Sequence, residues 1–256
     1  MHRPLSHAVV PASFDDPASP GTVDFEFSFA FQPIVDAKAR KVISFEALVR
    51  GPNGEPASEV FARVPHEDLY SFDQACRLKA ISLAARLKLH TLLNLNFFPN
   101  SAQRSSEYLC ATLEASQEAG FPVERLVFEV TEMEQLQYGG SMLGMFDKYA
   151  ACGFQTAIDD FGTGFSGLRR LAEYQPDYIK LDRNLVADID AQRVKQVIVR
   201  GIRDICDQLS ITLVAEGVER VEEYRWLRQA GIHIFQGHYF AQPAFEALAE
   251  VEQALF

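Results

Sequence analysis

Gln155-Thr156-Ala157-Ile158-Asp159-Asp160-Phe161-Gly162-Thr163-Gly164-Phe165-Ser166-Gly167 joins an apolar, β-branched run, two adjacent acids and a glycine-rich turn without a gap. Thr156 to Ile158 suit a buried strand, and the glycines let the backbone turn sharply once that strand has ended. From Gly167 to Glu173 the pattern becomes helical, so the stretch reads as one strand-loop-helix unit with acids at the carboxyl end of the strand. Two neighbouring carboxylates in a dry site repel, and they must share a proton or be held by cations. Taken alone, an Asp-Asp pair is better explained as a helix cap beside a solvated acid.

The same unit recurs along the chain. Strands are predicted near Ala30 to Val35, Val42 to Val49, Thr91 to Asn96, Leu126 to Val130, Thr156 to Ile158, Tyr178 to Leu181, Thr212 to Ala215 and Ile232 to Phe235. Helices are predicted over Asp68 to Lys88, Ala102 to Ala119, Glu134 to Cys152, Gly167 to Glu173, Ala191 to Leu209, Glu219 to Ala230 and Phe245 to Leu255. Eight strands alternating with helices predict an α/β fold of the TIM-type (β/α)8 barrel class. One link departs from the pattern: Asp36 to Lys41 is too short for a parallel crossover, which needs about a dozen residues. The first strand is therefore expected to run antiparallel to the second. That reversal places Gln32 at the end of the barrel where the other strands finish.

Strand after strand closes on a polar side chain: Glu46, Asn94, Glu129, Asp159 with Asp160, Lys180, Glu216 and, after the last strand, Gln236. Each alone could be a cap or a satisfied core group, but together they line the carboxyl rim where barrel enzymes carry their chemistry. Several carboxylates and an amide form a hard, oxygen-rich site suited to Mg²⁺ or Mn²⁺, and Asp159 could bridge two such ions. Two adjacent metals fit phosphodiester hydrolysis, with Lys180 neutralising developing charge or holding the water.

Bulk properties narrow the classes. The 256 residues are 48% hydrophobic and 23% charged, ordinary for a soluble globular chain. A formal charge of -11 argues against binding a DNA or RNA polymer, although divalent cations could still seat a small anionic substrate. No apolar run is long enough for a membrane segment and no signal peptide is evident, so the expected location is cytoplasmic. Cys76, Cys110, Cys152 and Cys206 lack metal or disulfide spacing and are expected as reduced core thiols. Residues 1–24, rich in proline and small polar residues, read as a flexible tail, with the folded domain spanning 25–256.

The set Phe45-Glu46-Ala47-Leu48-Val49-Arg50, Asn94-Leu95-Asn96, Glu129-Val130-Thr131-Glu132, Asp159-Asp160-Phe161-Gly162-Thr163-Gly164, Tyr178-Ile179-Lys180-Leu181-Asp182, Glu216-Gly217-Val218-Glu219 and Gln236-Gly237 resembles the EAL-domain cyclic di-GMP phosphodiesterases. The resemblance runs from about Phe29 to the C-terminus, with the motifs in order. It implies hydrolysis of cyclic di-GMP to linear pGpG with two Mg²⁺ or Mn²⁺ ions, and inhibition by Ca²⁺. Under it, Glu46, Asn94, Glu129 and Asp159 match ligands of the first metal, and Asp160 joins Asp159 at the second. Lys180 and Glu216 match residues assigned to water activation, and Glu132 matches a glutamate that anchors the glycine loop. Gln32, Leu48, Arg50, Glu219 and Gln236 match positions around the substrate; a guanidinium such as Arg50 suits a phosphate on its own terms.

Arg50 is followed by Gly51-Pro52 where a tryptophan is common, Asn96 stands where serine is frequent, and Pro52 to Asp73 is compact. With Phe72-Asp73-Gln74, these features resemble the subgroup fused to BLUF blue-light sensors. Residues 1–24 are too few to fold as such a sensor, so control is expected through a separate regulatory protein, dimerisation or substrate supply. The resemblance also implies a homodimer, for which Phe165, Leu168 and Leu171 are the candidate apolar contacts. Two other classes compete with the enzyme: a non-catalytic cyclic di-GMP receptor and a nucleotide-independent interaction protein. Asp160, Lys180 and Glu216 together favour the enzyme, because a receptor has no need of all three.

Overall fold

A computed structural model describes residues 25–97, 105–131, 140–164 and 167–256. Eight strands close into a barrel: β1 (Ser28–Asp36), β2 (Lys41–Arg50), β3 (Leu92–Asn96), β4 (Leu126–Thr131), β5 (Gln155–Phe161), β6 (Tyr178–Leu181), β7 (Thr212–Ala215) and β8 (Ile234–Gln236). They follow one another in sequence order from β2 to β8, and β1 closes the ring between β8 and β2. As the short link requires, β1 is antiparallel to both neighbours while the remaining pairs are parallel. The turn between β1 and β2 is held by Asp36, whose Oδ1 accepts from the backbone N–H of Lys38 and Ala39 at 2.8 and 2.9 Å.

The surrounding helices are α1 (Ala57–Phe61), α2 (Leu69–Arg86), α3 (Ser105–Ala119), α4 (Gly140–Ala151), α5 (Gly167–Glu173), α6 (Arg183–Val186), α7 (Arg193–Leu209) and α8 (Val221–Gln229). Strands and helices together bury two apolar clusters. One gathers Phe27, Phe31, Phe72, Leu93 and Phe128 around the first half of the barrel; the other gathers Ile158, Ile179, Leu181, Val199 and Phe235 around the second. Burying such side chains stabilises each by roughly 1.5–3 kcal/mol, so the strands are held as a rigid frame beneath their polar ends.

β5 runs on past the predicted end at Ile158 and takes in both acids, and its register against β6 shifts between Ile158 and Phe161. In a regular strand, adjacent side chains face opposite sides of the sheet. The bulge, with Asp160 at φ 52°, breaks that alternation and turns both carboxylates to one rim.

The predicted helix from Phe245 to Leu255 does not form. Ala244–Phe245 is a ninth short strand, β9, and only a 3₁₀ turn at Gln253–Leu255 is helical. Because β8 pairs β1 only from Ile34 to Asp36, the Ala30 region of β1 needs another partner. β9 supplies it: Phe245 lies level with Ala30, and the N–H of Glu246 donates to the carbonyl of Phe29 at 2.9 Å. Nor are the cysteines all core thiols. They are free, but only Cys206 is buried; Cys76 and Cys152 are partly buried and Cys110 is exposed, since its helix position turns outward. The residues of the predicted tail, 1–24, lie outside the described part of the chain.

Candidate active site

Lys180 is the centre of the rim. Its side chain is 1% exposed, and its Nζ lies 2.5 Å from Glu216, 2.7 Å from Glu129 and 3.3 Å from both Glu46 and Asp159. Strand β6 places it there because Ile179 and Leu181, on the opposite face, are buried in the second apolar cluster, which turns Lys180 to the inside of the barrel. Burial works against its charge, but Asp159, Glu129, Glu216 and Glu46 outweigh that and hold its pKa well above the ordinary value. One ammonium thus faces four acids, and Asp160 adds a fifth.

That excess of negative charge sets the chemistry. Carboxylate oxygens of Glu46, Glu129 and Asp159 lie within 4.8 Å of one another, and so do those of Asp159, Asp160 and Glu216. Asp159 belongs to both groups. Burial, and then the charges of Glu46 and Asp159, raise Glu129 to about 8 against the pull of Lys180. Burial and the neighbouring Asp159 and Asp182 raise Asp160 to about 6, while burial and Asp159 push Glu216 well above the usual carboxylate range. A hard divalent cation in each group would relieve the repulsion that protons otherwise relieve, and oxygen donors of this density suit one.

The raised carboxylates fix a pH dependence. The folded chain binds more protons than the unfolded one, so their contribution to stability is present at low pH and is lost as pH rises through about 6 for Asp160 and about 8 for Glu129. In chelator, the thermal midpoint is expected to fall between pH 5 and pH 9, and added Mn²⁺ to recover it at the alkaline end. A midpoint that rises over that range in chelator contradicts the assignment.

Amides complete the rim. Asn94 Nδ2 donates to Glu129 Oε1 at 2.5 Å, and Gln236 Nε2 donates to Glu46 Oε2 at 2.7 Å and to Gln32 Oε1 at 3.2 Å. Gln32 itself donates to the carbonyl of Ala241 at 3.2 Å, at the mouth where the reversed β1 was expected to bring it. Gln32, Glu46, Asp159, Asp160, Glu216, Glu219 and Gln236 line one cleft of about 350 Å³. Leu48 lies instead on a second, mostly apolar cleft of about 240 Å³, which Glu129 also lines. Arg50 is in the lining of neither; its guanidinium is half-buried, donates to the carbonyl of Val49 at 2.8 Å, and has its pKa lowered by burial although Glu46 opposes this. Glu132 lies outside the described residues.

Sequence reading missed Arg183, Asp182 and His238, which also line the larger cleft. Arg183 grips Glu219 through both guanidinium nitrogens, at 2.7 and 2.9 Å, and donates to the carbonyl of Gly217 at 3.1 Å. Gly217, at φ 62°, has to be glycine here because a Cβ would stand 2.8 Å from the side chain of Arg183. Asp182 and Arg183 directly follow the strand that carries Lys180, and that adjacency was the available signal.

The EAL domain profile matches residues 23–243. The chain belongs to the EAL domain family. An EAL chain of the same shape is the standalone versatile EAL protein from Vibrio cholerae O395, solved in a c-di-GMP-bound form: 43% identity, TM-score 0.86, covering 91% of this chain and 99% of that one. BlrP1 from Klebsiella pneumoniae, in a manganese/cy-diGMP complex, matches at 37% identity and TM-score 0.85 over 94% of this chain and 60% of its own. Among curated relatives, the blue light- and temperature-regulated antirepressor BluF of Escherichia coli is 30% identical over 87% of this chain and 56% of its own length. Others from the same organism are named probable cyclic di-GMP phosphodiesterases. The chain spans about half or less of the length of these curated relatives.

Proposed function

We propose that this EAL domain hydrolyses one phosphodiester of cyclic di-GMP to linear pGpG with two Mg²⁺ or Mn²⁺ ions. The observation that carries the reading is the pair of three-carboxylate groups sharing Asp159 beside a buried Lys180. Glu46, Asn94, Glu129 and Asp159 would hold the first ion, and Asp159 with Asp160 the second. Such a pair supplies Lewis acidity, activating water and stabilising the attacking and leaving oxygens of an in-line displacement.

The protein's own groups do the rest. Lys180 keeps a positive charge against the cleft, where it offsets charge developing on the phosphate and orients the incoming water. Glu216, 2.5 Å from that ammonium and grouped with Asp159 and Asp160, would accept the water's proton. Gln32, Gln236 and Glu219 border the cleft where the nucleotide would lie; Leu48, on the second cleft, and Arg50, outside the lining of both, would meet parts of the nucleotide that reach beyond it. Glu132 is assigned to tethering the loop after Asp160. Ca²⁺ would enter the same oxygen set but, being larger and less demanding in geometry, would not support turnover.

A receptor reading draws on the likeness to BluF, which is named an antirepressor. Isothermal titration with cyclic di-GMP in Mn²⁺ separates the two: heat that continues with turnover and gives pGpG supports the enzyme, and saturable binding without product supports the receptor.

A homodimer, with any sensory input arriving from a separate protein, is the partner arrangement proposed. Leu171 is buried in the core and cannot serve the contact predicted for it; Leu168 is exposed, and Phe165 lies outside the described residues. Helix α7 offers the wider surface. Val194, Val197 and Ile198 are 73%, 62% and 44% exposed at i, i+3 and i+4 spacing, and hence on one face. Two antiparallel copies of α7 would set Arg193 and Arg200 of each against Asp204 and Asp207 of the other. Val197→Asp is expected to convert a dimer at micromolar concentration to monomer in sedimentation; a monomeric parent chain contradicts the proposal. Among the described residues, no helix is long and apolar enough to cross a membrane.

A further inference from the structure

Arg183 is the one arginine in the lining of the larger cleft. Its stem lies along Gly217, and its guanidinium is gripped end-on by Glu219. Nη1 lies 2.7 Å from Glu219 Oε1 and donates to the carbonyl of Gly217 at 3.1 Å, while Nη2 donates to Glu219 Oε2 at 2.9 Å. Glu219 is itself fixed from behind. Its backbone N–H donates at 3.1 Å to Glu223, a buried carboxylate that also accepts from the N–H groups of Arg220 at 3.1 Å and Asp188 at 3.0 Å. One carboxylate thus ties the segment after β7 to the segment after β6, and the Arg183–Glu219 pair is held from both.

A guanidinium carries five N–H donors in one plane. Three are engaged here, both on Nη1 and one on Nη2. The remaining two, on Nε and Nη2, point the same way along the free edge, and no acceptor among the described residues takes either. Arg183 is 49% exposed, which leaves that edge open to a molecule in the cleft. Two parallel donors match two adjacent acceptors, either phosphate oxygens or the O6 and N7 of a guanine. Charge decides between them. Glu219 already balances the guanidinium, and Asp160 and Asp182 line the same cleft, so little net attraction is left for a phosphate. Directional donors keep their value against an uncharged edge.

We infer that Arg183 is a specificity-determining residue: held by Glu219, it reads the O6/N7 edge of one guanine of the bound nucleotide. Adenine has an amino donor in place of O6 and would set it against the fork. The inference rests on the cyclic di-GMP reading and names a contact that selects the base.

The test is titration calorimetry of the full chain in Ca²⁺ with cyclic di-GMP and with its 7-deaza analogue, which lacks N7, for the parent, Arg183→Met and Glu219→Ala. The parent is expected to bind cyclic di-GMP about 10-fold more tightly than the analogue. Arg183→Met should bind cyclic di-GMP more weakly and no longer distinguish the two, a coupling to one base atom that a merely structural role would not produce. Glu219→Ala should narrow the gap, because the fork is no longer held. Parent affinity in Arg183→Met, an equal loss for both nucleotides with the gap intact, or no binding by the parent overturns the inference, even if pGpG is formed in Mn²⁺. Absence of pGpG from the parent in Mn²⁺ while the coupling to N7 holds would sink the phosphodiesterase reading and leave the base contact standing.

Discussion

Asp159→Asn is expected to lower turnover of cyclic di-GMP by about 10³-fold or more, the several kcal/mol that cation catalysis contributes. The size of the loss follows from the sharing of one side chain between two groups of ligands: Glu46 and Glu129 on one side, Asp160 and Glu216 on the other. An amide has one acceptor oxygen and no charge, so it cannot serve both. The fold should survive the change, since Asp159 Oδ1 accepts from the backbone N–H of Asp160 at 2.9 Å and an asparagine oxygen can do the same. Calorimetry should show the Mn²⁺ stoichiometry falling from two, with the thermal midpoint in chelator unchanged or higher, because one buried negative charge has gone. A variant retaining a tenth of parental turnover would exclude Asp159 as a shared ligand.

Lys180→Met is expected to act on both stability and rate. Methionine fills a similar length without charge, leaving Glu46, Glu129, Asp159 and Glu216 with no cation among them. Removing one partner from a buried ion cluster costs about 3–5 kcal/mol, and the cost should be largest above pH 8, where Glu129 has lost its proton. At pH 5 the acids can hold protons and the loss should shrink. Mn²⁺ should restore stability in the variant more than in the parent, while kcat stays about 10²–10³-fold down because the charge facing the phosphate is absent. Chemical denaturation in chelator and in Mn²⁺, at both pH values, measures each arm. Equal stability of variant and parent in chelator at pH 8 would contradict the charge balance described for the rim.

Much of this architecture was legible because barrel strands announce themselves by apolar runs and short links. The six residues from Asp36 to Lys41 were enough to require the reversed β1. The polar residues at the strand ends were visible for the same reason: Lys180 or Glu129 inside an apolar strand has no cheap place except a shared polar site. What could not be read is what depends on contacts distant in sequence. The last segment has a helical pattern, yet the gap that β8 leaves along β1 draws Ala244–Phe245 into the sheet. Leu171 fits an exposed helix face as well as a core one, and only packing against β5 and β6 decides. Ser44, a small residue in a strand, carries no sign of its hydrogen bond to Asn94, fifty residues away. The bulge that aims Asp159 and Asp160 together leaves no composition signal, since aspartate is unremarkable at the end of a strand.

The direct test of the phosphodiesterase reading is product analysis after incubating the purified chain with cyclic di-GMP and Mn²⁺, alongside Glu46→Ala and a chelator control. Linear pGpG is expected from the parent alone, with none in chelator and none from the variant. Tight nucleotide binding by the parent with no pGpG at any Mn²⁺ concentration would contradict it.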